Sequence, residues 1–332
     1  KTLVIAEAGV NHNGEFDLAI ELVDKAISSK ANAIKFQAAI PELVVTENAE
    51  KAEYQKLSTG NKDSQLDMIK KLLLPLDDFK KIANYCKQKG ITFFATAFDL
   101  ISLDYVNNLD QKFHKIPSGE ITNLPYLRQI GKYKKPIFLS TGMANLNEIH
   151  EAILALESVG FSRKLLTILH CNTEYPTPLV DVNLHAMKTI RDKFSVEVGY
   201  SDHTDGIDVS VAAVALGASV IEKHFTLDCN MTGPDHKASL EPKNFLAMVE
   251  AIRRVEKSLG HSYKNATPSE VKNKDIIRRS LVAASDIKKG DTFTPQNIIA
   301  KRPGTGVSPM KWDIIIGKKA NKSFKTGEQI CI

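Results

Sequence analysis

A chain of 332 residues, 43% hydrophobic and 25% charged, has the make-up of an ordinary soluble core and is long enough for one large domain with a small one, or for two of medium size. A net charge of +5 without an extended lysine or arginine block argues against nucleic-acid binding and fits, weakly, an anionic small substrate. Four cysteines with no C-x-x-C pair (Cys86, Cys171, Cys229, Cys331), an N-terminus that enters β-type sequence at Leu3, and a longest apolar stretch, 209–221, interrupted by Ser210, Gly217 and Ser219, predict a reduced, cytoplasmic protein that is neither secreted nor membrane-bound.

In chain order, β-rich apolar runs alternate with helix-period patterns. Strands are predicted at 3–8, 33–37, 92–97, 113–117, 137–140, 166–171, 196–200 and 219–224, and helices at 17–29, 76–89, 99–108, 124–133, 146–158, 184–192, 209–216 and 242–259. Eight strand–helix pairs predict an α/β fold of the (β/α)8 TIM-barrel type, and the continuous apolar runs fit strands buried on both faces. An open doubly wound sheet is the alternative; the lack of a G-x-G-x-x-G after the first run speaks against it. The connection 38–75 is long, polar and charged, which predicts an active-site loop or a surface excursion with short helices of its own. Composition changes after the last barrel helix. The expected domains are a barrel at 1–262, a polar linker at 263–277 and a small β-rich domain at 278–332, with short runs at 280–284, 298–301 and 329–332. A domain that small has little core of its own and would gain from docking on another surface.

Barrel chemistry sits where the strands end. Those ends carry Glu7; Lys35 and Gln37; Thr96 and Phe98; Ser118-Gly-Glu120; Ser140-Thr-Gly-Met143; His170, Thr173 and Tyr175; Ser201, Asp202 and His203; and Glu222 and His224. A purely structural face has no need of polar residues at all eight ends. Two imidazoles, His203 and His224, could hold one divalent metal with open positions for water and substrate oxygens; manganese, magnesium, iron and zinc all suit such a set. The plain alternative is that each histidine satisfies a buried polar partner. Lys35 is a cation inside an apolar run and needs an anion, either Glu7 or a ligand phosphate or carboxylate. Thr96, Ser118, Ser140 and Ser201 could cradle a phosphate, although a single serine there would more often cap a helix. Glu7, Glu120 and Asp235 are available for proton transfer or substrate hydroxyls, or as partners for Lys35 and Arg302. His12 reads as a loop-stabilising side chain and His170 as structural. Arg302, in the turn Lys301-Arg-Pro-Gly-Thr-Gly306, is either solvated or carried by a lid.

Together these stretches resemble the sialic acid (N-acetylneuraminate) synthases, phosphoenolpyruvate-dependent enzymes that make nine-carbon 2-keto sugar acids. The matching segments are Glu7-Ala-Gly-Val-Asn-His-Asn-Gly14, Lys35-Phe-Gln37, Lys115-Ile-Pro-Ser-Gly-Glu120, Ser140-Thr-Gly-Met143, His170-Cys-Asn-Thr-Glu-Tyr-Pro176, Gly199-Tyr-Ser-Asp-His-Thr204, Glu222-Lys-His-Phe-Thr226, Gly233-Pro-Asp-His236 and Lys301-Arg-Pro-Gly304. The resemblance implies a barrel followed by an antifreeze-like (SAF) domain, in a domain-swapped homodimer whose small domains cap the partner's active site. It implies condensation of phosphoenolpyruvate with an N-acetylated hexosamine and release of phosphate. It places a divalent metal on His203 and His224, manganese first, with magnesium or cobalt as alternatives. Phosphoenolpyruvate contacts carry over to Lys35, Thr96, Ser118, Ser140, Thr173 and Ser201. Sugar contacts carry over to Gln37, Phe98, Tyr175, Asp235 and a partner subunit's copy of Arg302. Glu7, Glu120 and Asp235 would handle protons.

N-acetylmannosamine, giving N-acetylneuraminate, is the first expectation for the acceptor. A 2,4-diacetamido-2,4,6-trideoxymannose, giving legionaminic acid, is the alternative, and a pseudaminic precursor a weaker one. The insertion stretches Ala52-Glu-Tyr-Gln55 and Asp63-Ser-Gln-Leu66 resemble the sialic or legionaminic branches. Outside this class stand a phosphosugar aldolase, which would use Lys35 as a Schiff base, and a carbohydrate-binding protein without catalysis.

Overall fold

The apolar runs become eight parallel strands in the computed structural model: β1 (Leu3–Gly9), β2 (Ala33–Ala38), β3 (Thr92–Ala97), β4 (His114–Ile116), β5 (Ile137–Ser140), β6 (Leu166–His170), β7 (Glu197–Asp202) and β8 (Val220–His224). The structure describes residues 1–60 and 63–331, with Tyr54, Leu57 and Ser58 described in their backbone only. The strands are hydrogen-bonded in the order β3-β2-β1-β8-β7-β6-β5-β4, and β3 packs beside β4 to bring the sheet round into a nearly closed (β/α)8 barrel. At that seam a side chain does the work of a strand. Gln111 accepts a hydrogen bond from the Ala95 N–H (2.9 Å) and its amide nitrogen faces the Ala95 carbonyl (3.4 Å) and His114 Nδ1 (3.0 Å). Backbone groups of β3 that would otherwise be buried and unpaired are satisfied there.

Helix α1 (Phe16–Ser28) follows β1. Three short helices occupy the insertion after β2, α2 (Pro41–Val44), α3 (Glu53–Thr59) and α4 (Gln65–Leu72), ahead of α5 (Leu76–Lys89). Then come α6 (Leu100–Asn107), α7 (Leu124–Lys132), α8 (Leu146–Glu157), α9 (Ala186–Phe194), α10 (Asp208–Ala215) and α11 (Pro242–Ser258). Sequence dictates their ends. Asp99 caps Ser102 at the start of α6, and Asn145 with Glu148 forms a capping box on α8. It also dictates their inner faces: α1 buries Ala19, Leu22, Val23 and Ala26, the spacing of one helical stripe.

Inside the barrel, Ile5, Ala33, Phe94, Phe138, Leu169 and Val220 form an apolar floor, joined by Leu3 and Phe113. Strand β7 contributes Gly199 to this layer. A Cβ there would sit 2.5 Å from the Val220 carbonyl oxygen and 2.6 Å from Leu169 Cδ2, so only glycine fits.

The chain divides into two units, Lys1–Gly260 and His261–Ile332. In the second, α12 (Pro268–Ile277) occupies most of the segment expected as linker, started by a Thr267–Glu270 capping box with Pro268 at its first position. Antiparallel β9 (Ser280–Ala283) and β10 (Ile298–Lys301) and the short α13 (Trp312–Ile315) surround a core that includes Leu281, Ile287, Phe293, Ile315 and Phe324. The run expected at 329–332 makes a single bridge, Gln329 to Val282, and its last residue lies outside the described residues. Among the described residues, no helix is long and apolar enough to cross a membrane.

Candidate active site

Side chains alternate along a strand, so residues two positions beyond the apolar floor point into the same barrel interior, one layer higher. There the chemistry changes. Ile5 is followed by Glu7, Ala33 by Lys35, Phe94 by Thr96, Phe113 by Lys115, Phe138 by Ser140, Gly199 by Ser201 and Val220 by Glu222. Strand register then decides who meets whom. Pairing of β1 with β2 sets Glu7 beside Lys35, and pairing of β7 with β8 sets Ser201 beside Glu222. Lys35 Nζ lies 2.9 Å from Glu7 Oε2 and 3.7 Å from Glu222 Oε2, and donates to Thr96 Oγ1 at 2.9 Å. Lys115 Nζ lies 3.3 Å from Glu222 Oε1, which also accepts from Ser201 Oγ at 3.0 Å.

All four charged side chains are buried, and two ammoniums face two carboxylates. Burial works against every one of these charges. For Glu222 the attraction of Lys115 and Lys35 overcomes it and holds the carboxyl down at about 2. For Lys35, burial is likewise overcome by Glu222 and Glu7, and its affinity for the proton rises. Burial prevails at Lys115, whose ammonium is pulled down despite Glu222, and at Glu7, which is pushed up against the pull of Lys35.

The two histidines stand one step above. Their ring centroids are 5.4 Å apart, and Tyr175 stacks on His203 (4.1 Å) while meeting His224 edge-on (5.5 Å). His203 Nδ1 is bonded to the Asn172 carbonyl, which makes Nδ1 the protonated nitrogen and leaves the Nε2 lone pair free, 3.3 Å from Ser201 Oγ. His224 Nδ1 is buried, makes no hydrogen bond, and lies 3.7 Å from Asp235 Oδ2. Burial drives His203 down to about 4 and His224 well below its usual value, so both rings are neutral near pH 7. Two neutral imidazoles with free nitrogen lone pairs are a donor set that fits a divalent metal whose other positions are filled by water or substrate oxygens. Among the described residues, no three histidine, cysteine or carboxylate side chains form a closed metal cage.

A cavity of about 580 Å³ opens over this layer, roomy enough for a three-carbon phosphate and a hexose derivative. Of the expected phosphoenolpyruvate contacts, Lys35, Thr96, Ser118, Ser140, Thr173 and Ser201 all line it. Ser118 Oγ accepts from the Gly142 N–H at 2.9 Å, and a Cβ on Gly142 would collide with Thr173 Cγ2 at 2.5 Å. Ser140 Oγ is buried without a hydrogen-bond partner. Gln37, Phe98, Tyr175 and Asp235, the expected sugar contacts from the barrel, line the same cavity, as do Glu7, His203 and His224. Gln37 donates to Glu7 Oε1 at 3.1 Å. Burial, with the nearby Glu7 charge, pushes the Asp235 carboxyl up to about 7.

One residue expected from the barrel stands outside this lining, and Arg302 was expected from a partner subunit. Glu120 is half-exposed, is absent from the cavity lining, and accepts a hydrogen bond from Asn123. Arg302 belongs to the second unit, where its Nε donates to the Ile277 carbonyl at 2.9 Å. His170 donates from Nε2 to the Val182 carbonyl (2.9 Å), and His12 Nδ1 accepts from the Gly14 N–H (3.1 Å), so both tie loops together. Lys115 and Glu222 carried no assigned role from the sequence, yet they complete the charged layer. Their signal was the one that marked Lys35, a charge inside an apolar run.

The NeuB family model matches residues 22–264, and the SAF domain model residues 278–330. An N,N'-diacetyllegionaminic acid synthase of Campylobacter jejuni is 52% identical over 99% of both chains. A protein of the same description from Legionella pneumophila is 42% identical, over 98% of this chain and 92% of its own. Among solved structures, an N-acetylneuraminic acid (sialic acid) synthetase from Leptospira borgpetersenii superposes with a TM-score of 0.71 at 33% identity, covering 82% of this chain and 90% of that one.

Proposed function

Since the chain belongs to the NeuB family and is a nonulosonic acid synthase, a transferase-type enzyme, we propose that it condenses phosphoenolpyruvate with 2,4-diacetamido-2,4,6-trideoxymannose to give N,N'-diacetyllegionaminic acid. The observation that carries the choice of acceptor is the 52% identity, over 99% of both chains, to a synthase of that description. It supports the diacetamido sugar over N-acetylmannosamine, the acceptor first expected from the sequence.

Lys35 and Lys115, with the hydroxyls of Thr96, Ser118, Ser140 and Ser201, would bind the phosphate and carboxylate of phosphoenolpyruvate. His203 and His224 would hold the divalent metal, manganese first, which when bound supplies a Lewis acid for the acceptor aldehyde. Stacked Tyr175 and the Asn172 carbonyl keep the His203 ring oriented. The methylene carbon of phosphoenolpyruvate forms the new C–C bond to the aldehyde carbon. Asp235, 3.7 Å from His224, would give the aldehyde oxygen its proton, and Glu120, next to Gly119 of the lining, is the second candidate. Glu7 takes a proton from the water that adds at the oxocarbenium-like C2. The C–O bond to phosphate then breaks, inorganic phosphate leaves and the 2-keto acid remains. By resemblance, Gln37, Phe98, Tyr175 and Asp235 contact the sugar, joined by Arg302 from a partner subunit.

The test is a competition. The enzyme receives phosphoenolpyruvate, manganese and equal amounts of both acceptors, and the product is weighed by mass spectrometry. The diacetylated nonulosonate should dominate; a product that is mainly N-acetylneuraminate defeats the acceptor assignment. His203→Ala and His224→Ala should each lose both bound manganese and turnover, with the circular dichroism spectrum retained. Full activity in either would defeat the metal assignment.

A further inference from the structure

Helix α4 carries Gln65, Met68, Ile69 and Leu72, spaced i, i+3, i+4 and i+7, so all four share one face. All four line the active-site cavity. The charged residues of α4 are engaged elsewhere. Asp67 closes the capping box with Ser64, Lys70 pairs with Glu42 of α2 at 2.8 Å, and Lys71 pairs with Asp63 at 2.6 Å. None of these three charged side chains lines the cavity. Ile69 and Leu72 remain only half-buried, so part of their apolar surface faces the cavity rather than a protein core.

The substrates differ in what they can offer such a wall. Phosphoenolpyruvate is an anion and belongs with the lysines and hydroxyls at the strand ends. N-acetylmannosamine has hydroxyls at C4 and C6, and a hydroxyl held against this stripe would lose water without gaining a partner. The 2,4-diacetamido-2,4,6-trideoxy sugar has an acetamido group at C4 and a bare methyl at C6. An acetamido group matches a side-chain amide, since its N–H can donate to the amide oxygen and its carbonyl can accept from the amide NH2.

We infer that α4 is the element that reads the acceptor: Gln65 hydrogen-bonds the C4 acetamido group, while Met68, Ile69 and Leu72 cover its methyl and the C6 methyl. This rests on the diacetamido acceptor proposed above. The insertion after β2 is then a specificity device, separate from the metal and phosphate chemistry at the strand ends.

The experiment measures kcat/KM for both acceptors in the full-length chain and in Ile69→Thr, Leu72→Asn and Lys70→Gln. Each ratio is taken on one protein sample, so partial misfolding cancels. Introducing a polar group into the stripe should lower the diacetamido-to-N-acetylmannosamine ratio about tenfold in Ile69→Thr and Leu72→Asn, chiefly through KM, as expected for losing a methyl contact in an apolar pocket. Lys70→Gln, on the outer face, should keep the ratio. Ratios within threefold of the unsubstituted chain in both stripe variants overturn the inference and leave the acceptor proposal standing, as does an equal fall in Lys70→Gln. If the unsubstituted chain itself favours N-acetylmannosamine, the acceptor proposal fails and this inference with it.

Discussion

A charge buried alone is expensive, and the four charges at the barrel centre are tolerable only as a set. Glu222 is its pivot, since it faces both Lys115 and Lys35. Glu222→Gln keeps the shape but leaves Lys115 without its carboxylate, and the chain should lose about 3–5 kcal/mol in urea unfolding. Adding Lys115→Met should restore much of that loss, because the buried ammonium is then gone. A change below about 1 kcal/mol in the single variant would mean that the layer is not the coupled unit described. The sequence showed half of this layer. Lys35 stood out as a cation within Ala33–Ala38 that needed an anion, with Glu7 and a ligand phosphate or carboxylate both open; the structure pairs it with Glu7. The Lys115–Glu222 contact joins the fourth and eighth strands, and only barrel closure and register bring those together. Glu120 shows what a strand end leaves open: its carboxylate stands outside the cavity lining, next to Gly119, and accepts a hydrogen bond from Asn123 at the start of α7.

Elements were more legible than contacts. Apolar, β-branched runs located all eight strands, with β7 running on to Asp202 and so carrying Ser201 within the ladder. The insertion after β2 was visible as a long polar connection, but its helices are too short for periodicity to place. Helix α12 was readable and overlooked; Thr267, Pro268 and Glu270 are a helix-start signature inside a segment whose polarity suggested a linker. The seam between β3 and β4 carries a pH prediction. His114, next to Gln111 and stacked on Tyr133, is buried, and burial, with the Lys135 charge, lowers its pKa to about 4. The unfolded chain protonates this ring near pH 6.5 and the folded chain resists. Its contribution is therefore complete above pH 6.5 and is lost as pH falls toward 4, at about 1.4 kcal/mol per pH unit. In metal-free protein, His12, His203, His224 and His236 act in the same direction. His114→Gln should reduce the acid slope of stability by one proton's worth in this window. An unchanged slope would mean that His114 is protonated in the fold.

For the molecule as a whole, the apolar floor supplies rigidity and the layer above supplies chemistry, a division set by side-chain alternation along eight strands. Arg302 acts at another scale. It lies in the second unit, and its proposed reach to the acceptor depends on assembly, which no local sequence pattern encodes. If partners exchange Arg302, His224→Ala and Arg302→Ala chains, each impaired alone, should recover about a quarter of full activity when refolded together, since half the dimers are mixed and each mixed dimer has one intact site. No recovery would place Arg302 in its own subunit's site, and full activity of Arg302→Ala alone would place it outside the reaction.

Phosphate release from phosphoenolpyruvate, followed with manganese and each acceptor in turn, tests the central claim most directly. The account predicts one phosphate per keto acid formed, a kcat/KM at least about tenfold higher with 2,4-diacetamido-2,4,6-trideoxymannose than with N-acetylmannosamine, and none in His224→Ala. Equal or greater turnover of N-acetylmannosamine would contradict the acceptor. Undiminished release in His224→Ala would contradict the site.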